Sequence, residues 1–228
     1  MCWNKDVSIK TFLFTTVIMG IIWSSNNKPS LYDSVFSYLF VFSFSLMQLV
    51  EYFIWTSIET RNAAMNQIAS AFGWLLLRVA QPITALFMLP ESHVYLRNVL
   101  LPTYIASLVG TTAYKSMYNP IQFKTIVGKN GHLEWVWNDL QGFERNNVLM
   151  YFLCIATLFL RFPILVIGAG LLLLFSIFYY KNTWGSNWCY LVNAIVLYLF
   201  AEWVSLNLSW KIWRFPKGAK NWFIIFII

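Results

Sequence analysis

The polar side chains that lie inside long apolar stretches are the residues through which this sequence could do chemistry. Gln48 and Glu51 lie within the apolar stretch from Val35 to Glu59, and their spacing places them on one face of a helix. A carboxylate inside a bilayer costs about 2.5–3.5 kcal/mol on insertion scales unless it faces protein, water or a partner. The pair therefore predicts a polar stripe that faces the inside of a helical bundle.

Two further charges, Arg78 and Glu202, also lie inside apolar stretches. At about 1.5 Å of rise per residue, Arg78 is expected roughly 20 Å from one side of a membrane and Glu51 about 10 Å from the same side. Glu202 is also expected about 20 Å deep if its helix starts near Cys189. Helical side chains tilt toward the N-terminus, so Glu51 and Arg78 on antiparallel neighbours lean toward each other. This predicts a buried Glu51–Arg78–Glu202 network whose hydrogen bonds Gln48 and Gln81 complete.

The predicted network has two interpretations, and the sequence leaves both open. Buried ion pairs can neutralise one another and fix the register of the helices. Alternatively, the residues line a polar site for a proton, an ion, a small polar ligand or a lipid headgroup. The network has one carboxylate more than its arginine balances, which leaves a negative charge or a bound proton, as in a proton relay.

The composition places these polar residues in a membrane protein. Of the 228 residues, 59% are hydrophobic and 11% are charged, whereas soluble domains carry about 25% charged residues. The apolar surface of such a chain needs a lipid bilayer to cover it. The net charge of +7 fits loop lysines near anionic headgroups, and no dense basic run indicates a nucleic-acid partner.

The apolar stretches predict an all-α integral membrane fold, with one domain over residues 1–228 and about seven transmembrane helices. Polar, turn-rich segments separate the stretches. The predicted spans are 7–23, 35–58, 64–89, 94–114, 148–160, 163–180 and 186–210.

The loop between the fourth and fifth spans predicts a β-hairpin insert over about 118–139. Two runs in which apolar residues alternate with other residues lie on either side of residues 128–131. Within that segment, the Asn130-Gly131 pair tolerates the positive φ angles of a tight turn. The hairpin is interpreted either as a lid over the helix ends or as a surface that binds a protein partner. The residues of that surface are His132, Glu134, Trp135 and Trp137.

The segment 211–228 predicts a tail at the membrane–water interface. It interleaves lysine and arginine with tryptophan and phenylalanine, and its last apolar run is too short to span a bilayer. Basic residues divide almost equally between the two predicted sides, so they do not fix the orientation. When the hairpin loop is set aside, their balance favours a cytosolic C-terminus.

Several chemistries have no matching motif in the sequence. Neither His93 nor His132 lies in the middle of a predicted span, which argues against an intramembrane haem or a metal hydrolase. No Gly-x-Ser-x-Gly elbow and no phosphate-binding Gly-Lys-Ser/Thr loop occurs. The sequence therefore indicates no catalytic residue, no metal and no cofactor, and it favours a protein that is not an enzyme.

Two short motifs in the first quarter of the chain carry a family resemblance. Residues 1–4 read Met-Cys-Trp-Asn, and residues 47–51 read Met-Gln-Leu-Val-Glu, followed by Trp55. They resemble an uncharacterised family of multi-pass membrane proteins of bacteria and large DNA viruses, which typically open Met-Cys-Phe-Ser and carry Gln-x-x-Glu in the second span. Here Trp-Asn replaces Phe-Ser. The resemblance implies no activity, but it raises interest in Cys2, Gln48 and Glu51 and in a host or virion membrane.

The sequence leaves two classes of function open. The first is a channel, a transporter or a small-ligand-binding bundle that uses the buried polar residues. The second is a structural or assembly protein of a membrane that docks through its hairpin and tail. An oligomer is compatible with either class. A water-connected cavity at Glu51 would favour the first class, and exposed tryptophans on the hairpin would favour the second.

Overall fold

A computed structural model describes residues 4–118, 121–138 and 143–207, and these are mostly helical. The predicted tail at 211–228 and the motif at Cys2 lie outside the described residues. The α-helices are α1 (Lys5–Ser24), α2 (Val35–Glu59), α3 (Ala63–Leu75), α4 (Gln81–Phe87), α5 (Val94–Tyr118), α6 (Phe143–Ala156), α7 (Pro163–Tyr180), α8 (Trp184–Val192) and α9 (Ala194–Asn207). Short 3₁₀ turns cover Ser30–Tyr32, Glu91–His93, Thr157–Leu160 and Lys181–Thr183, and a π-helical turn covers Leu76–Ala80.

Within the described residues, four helical stretches are long and apolar enough to cross a membrane, which indicates a membrane location. The predicted count of seven continuous helices is not confirmed. The predicted third span is divided into α3, the π-helical turn and α4, and the seventh breaks at Asn193 between α8 and α9. The four stretches are Lys5–Ser24, Val35–Glu59, Ala63–Phe87 and Pro163–Asn207.

Polar caps begin the first three helices. The side chains of Asn4, Ser34 and Asn62 each accept a hydrogen bond from the backbone N–H three residues later, at 2.9, 3.3 and 3.0 Å. Each bond satisfies a donor that has no partner inside its helix. Arg61 takes a positive φ of 53° and reverses the chain between α2 and α3. The cap and the turn therefore place α2 and α3 side by side and antiparallel.

A two-stranded antiparallel sheet confirms the predicted hairpin between α5 and α6. Strand β1 (Thr125–Val127) pairs with strand β2 (Leu133–Trp135). Gly131 takes a positive φ of 79°, whereas Asn130 is not among the described non-glycine residues with positive φ. Of the Asn-Gly pair, only Gly131 therefore adopts the left-handed backbone conformation, which glycine takes without a steric cost.

The aromatic rings of the hairpin face the bundle and not the solvent. Trp135 and Trp137 are 5% and 2% exposed, and their rings stack with centroids 5.0 Å apart. The Nε1 of Trp137 donates to the hydroxyl of Thr125 at 3.2 Å. His132 is also buried, and Glu134 is half-buried. The interpretation of this face as an exposed docking surface is therefore corrected for both tryptophans and for His132.

Two glycines make room for these indoles. A Cβ added to Gly73 of α3 would lie 3.3 Å from the ring of Trp137. A Cβ added to Gly185 at the start of α8 would lie 3.0 Å from the ring of Trp135. The hairpin is thus wedged against α3 and α8 because both helices lack a side chain at the contact.

Polar contacts mark two ends of the helical bundle. We call the end that carries the hairpin the hairpin end. There Lys5 Nζ pairs with a Glu59 carboxylate oxygen at 2.6 Å. At the opposite end, Arg161 pairs with Asp33. The hairpin end therefore holds the start of α1 and the α2–α3 turn, and the opposite end holds the α1–α2 and α6–α7 connections.

The contact between Gly185 and Trp135 predicts that Gly185→Ala loosens the hairpin. The added methyl group overpacks the indole, which costs about 1–3 kcal/mol. We expect a lower thermal unfolding midpoint in detergent and faster tryptic cleavage at the exposed Lys129 in the hairpin turn. The matched control is Gly110→Ala, whose Cβ has no heavy atom within 4 Å. Equal midpoints and cleavage rates for the two variants would contradict the prediction.

Candidate functional site

Helices α2 and α8 bring together buried oxygen atoms that we call the Gln48–Glu51–Ser186 cluster. The amide Nε2 of Gln48 donates to Glu51 Oε2 at 3.2 Å. The side chain of Ser186 lies beside the same carboxyl group. Gln48 Oε1, Glu51 Oε1 and Ser186 Oγ have no hydrogen-bond partner among the described residues. These three oxygen atoms therefore have unused hydrogen-bonding capacity.

Arg78 does not join this cluster, which corrects the predicted Glu51–Arg78 contact. Its Nη2 donates to Asn138 Oδ1 at 2.8 Å, in the segment after β2. The sequence predicts this loop outside the bundle, as a lid or a docking surface. In the structure, the hairpin enters the bundle and brings Asn138 to the guanidinium.

Glu202 lies away from both residues, so the predicted three-residue network is wrong. The backbone N–H of Ser30, in the α1–α2 connection, donates to Glu202 Oε1 at 3.5 Å. The predicted depth of Glu202 assumes a helix that starts near Cys189, but α8 begins at Trp184. At about 1.5 Å per residue, Glu202 is roughly 27 Å from that start. The carboxylate is therefore carried past the level of Arg78 to the opposite end.

Pro82 explains the π-helical turn and its contact with α5. In an α-helix the carbonyl of Arg78 would accept from the N–H of residue 82, but proline has no N–H and its ring clashes with that carbonyl. The chain widens into a π-helical turn over Leu76–Ala80. The hydroxyl of Tyr104 then donates to the Arg78 carbonyl at 2.7 Å. A side chain of α5 thus replaces the missing backbone donor.

Gln81 forms its polar contact with α6. The hydroxyl of Tyr151 donates to Gln81 Oε1 at 2.6 Å, and both residues are buried. Arg78, Asn138 and Tyr151 share a small pocket that has aromatic walls. The predicted polar residues are therefore divided among three places: Gln48 and Glu51 in one, Arg78 and Gln81 in a second, and Glu202 in a third.

An apolar cavity that the sequence analysis missed lies among α2, α6, α7, α8 and α9. Its volume is about 270 Å³. Asn193 is the polar residue of the lining, and its Nδ2 already donates to the carbonyl of Cys189 at 2.8 Å. The run of small residues at 168–170 in α7 was the one available signal. The lining includes Phe44, Ile155, Val166, Gly170, Trp188 and Val196.

Helix α7 forms the outer wall of this cavity. Val166 and Gly170 line the cavity and are half-buried. Ile164, Ile167 and Leu171 on the same helix are 54%, 53% and 55% exposed. Helix α7 thus lines the cavity with one face and presents the other face to the surroundings of the bundle.

Comparisons with protein-family models, with curated proteins and with solved structures give no match to this chain. The resemblance carried by residues 1–4 and 47–55 stays a prediction. The function is therefore inferred from the residues and geometry of this chain.

The contact between Tyr104 and the Arg78 carbonyl predicts that Tyr104→Phe lowers the stability of the protein. The variant removes a hydroxyl donor from this buried carbonyl, and loss of such a contact costs about 1–3 kcal/mol. Thermal unfolding in detergent measures the loss. Pro82→Ala adds a backbone N–H four residues after Arg78, the spacing of an α-helical bond to that carbonyl. Tyr104→Phe should therefore cost less in the Pro82→Ala background than in the wild type. Equal costs in both backgrounds would show that the hydroxyl acts elsewhere.

Proposed function

We propose that this protein is a multi-pass membrane protein that binds a small apolar ligand inside its helical bundle. The cavity among α2, α6, α7, α8 and α9 carries the proposal. An apolar cavity of about 150 Å³ holds one benzene ring, and ligand pockets begin near about 300 Å³. By the same scale, the cavity of about 270 Å³ fits a group of roughly ten carbon atoms.

The chemistry of the lining decides the class of ligand. Phe44, Val166 and Trp188 present hydrocarbon and aromatic surface, and the amide nitrogen of Asn193 is already bonded. A sugar, a nucleotide or an ion would lose its hydration without gaining partners there. A hydrocarbon group gains from the same burial. The lining therefore favours an alkyl chain, an isoprenoid or another lipid-derived group.

The bilayer itself is the natural source of such a ligand. Helix α7 exposes apolar side chains on its outer face and lines the cavity with its inner face. A channel or a transporter would move a solute across the membrane as well as bind it. Flux into liposomes distinguishes these activities from binding alone.

The docking function has less support, because the indoles of the hairpin are buried and the tail lies outside the described residues.

About seven crossings of the membrane accompany this proposal. The crossings are α1, α2, α3 with α4, α5, α6 with Thr157–Leu160, α7, and α8 with α9. The arrangement of the connections supports this count, because the α1–α2 connection lies at one end of the bundle and the α2–α3 turn at the other. We place the opposite end, where α9 ends at Asn207, on the cytosolic side.

Cysteine labelling tests this topology. In a background of Cys2→Ser, Lys28→Cys in the α1–α2 connection and Lys129→Cys in the hairpin turn both put an exposed thiol outside the helices. An impermeant maleimide is expected to label Lys28→Cys from the cytosolic side and Lys129→Cys from the other side. Labelling of both thiols from one side would rule out the topology. The native Cys154 and Cys189 are buried, so the protein without an added cysteine gives the background level of labelling.

Filling the cavity is expected to remove the ligand. Val166→Phe places a ring in the cavity, whereas the matched control Ile167→Phe places it on the exposed face of α7. Apolar molecules extracted from the purified proteins are counted against protein by mass spectrometry. We expect wild type and Ile167→Phe to retain the same compound and Val166→Phe to lose most of it. Equal content in all three proteins would overturn the proposal.

A further inference from the structure

The Gln48–Glu51–Ser186 cluster is a second interior feature, separate from the apolar cavity. Gln48, Glu51 and Ser186 are 0%, 0% and 1% exposed. Each contributes one oxygen atom that has no hydrogen-bond partner among the described residues. Gln48 Nε2 donates a hydrogen bond to Glu51 Oε2 at 3.2 Å, and the three side chains share no other hydrogen bond within 3.5 Å. Buried polar atoms in folded proteins nearly always have partners, so three such atoms together point to a ligand.

Among the described residues, no basic side chain is paired with Glu51. On the elements packed against α2, the basic groups are Lys5, Lys10 and Arg78. Lys5 pairs with Glu59, Arg78 bonds to Asn138, and Lys10 is exposed. The other titratable groups on those elements are Asp6, which is exposed, and Tyr32, Cys189 and Tyr190. A buried carboxylate without a counter-charge is too costly to persist in a bilayer.

We propose that the Gln48–Glu51–Ser186 cluster binds a monovalent cation, either a proton or Na⁺. A carboxylate, an amide oxygen and a hydroxyl are the oxygen donors that hard cations prefer. A water molecule alone would satisfy the hydrogen bonds but would leave the negative charge. A divalent ion would leave an excess positive charge in place of the negative one. One positive charge therefore matches the single carboxylate.

A hydrophobic carbodiimide probes the occupant in the full-length protein in detergent. Its central carbon takes up the oxygen of a protonated carboxyl group, and the proton moves to a carbodiimide nitrogen. The adduct on the peptide that contains Glu51 is measured by mass spectrometry over a range of pH, in NaCl and in choline chloride at equal ionic strength. Slower labelling in NaCl than in choline chloride indicates Na⁺. Labelling that depends on pH alone indicates a proton.

Two serine variants test whether the cluster itself is the site. Ser186→Ala removes one oxygen donor and leaves Glu51 in place. If Na⁺ is the occupant, the Na⁺ concentration for half-protection should rise about tenfold, because one contact to a charged group is lost. If a proton is the occupant, the pH at half-labelling should move instead. The matched control is Ser176→Ala, because Ser176 is also buried without a described partner but lies in α7. It should change neither quantity.

If the carbodiimide does not reach Glu51, the midpoint of thermal unfolding tests cation binding instead. The midpoint of the wild type should depend on Na⁺ or on pH, and Glu51→Gln should abolish that dependence. The proposal is overturned if labelling of Glu51 responds neither to Na⁺ nor to Ser186→Ala and the midpoint shows no dependence on Na⁺ or pH that Glu51→Gln removes. These measurements do not involve the apolar ligand, so the cation site and the apolar cavity stand or fall separately.

Discussion

The loss of one backbone donor at Pro82 organises the centre of the bundle. Inside a bilayer, each freed backbone carbonyl must find a partner within the protein. The carbonyl of Arg78 loses the N–H of residue 82 and receives the hydroxyl of Tyr104, which ties α5 to the π-helical turn. Gln81, directly before the proline, receives the hydroxyl of Tyr151 and ties in α6. Two helices are thus held at one helical defect.

The hairpin connects this defect to the oxygen cluster. Its Asn138 accepts from the Arg78 guanidinium, and its Trp135 rests on Gly185 at the start of α8. Ser186 is the next residue along that helix, and it lies beside Glu51. The hairpin is therefore part of the interior packing, and it sets the position of the helix that completes the cluster. Close packing at two glycines gives this arrangement little freedom.

The same two helices frame both interior sites, which differ in chemistry. In α2, Phe44 lines the apolar cavity, and Gln48, one turn later, belongs to the oxygen cluster. In α8, Trp188 lines the cavity and Ser186 belongs to the cluster. An apolar group is stable only in the first site, because the lining offers it hydrocarbon. A cation is stable only in the second, because that site offers oxygen atoms and one negative charge.

The sequence by itself determined what depends on short spacing and composition. Its apolar stretches indicate a membrane protein, its alternating runs with Asn130-Gly131 predict the hairpin, and the helical period joins Gln48 to Glu51. The tertiary structure decided which helices meet and at what depth. An error of five residues in the start of α8 is about 7.5 Å, more than twice the length of a hydrogen bond. For that reason Glu202 meets Ser30 and not Arg78. Arg78 meets Asn138 because the hairpin enters the bundle, and the cavity has no counterpart in any single stretch of sequence because five helices line it.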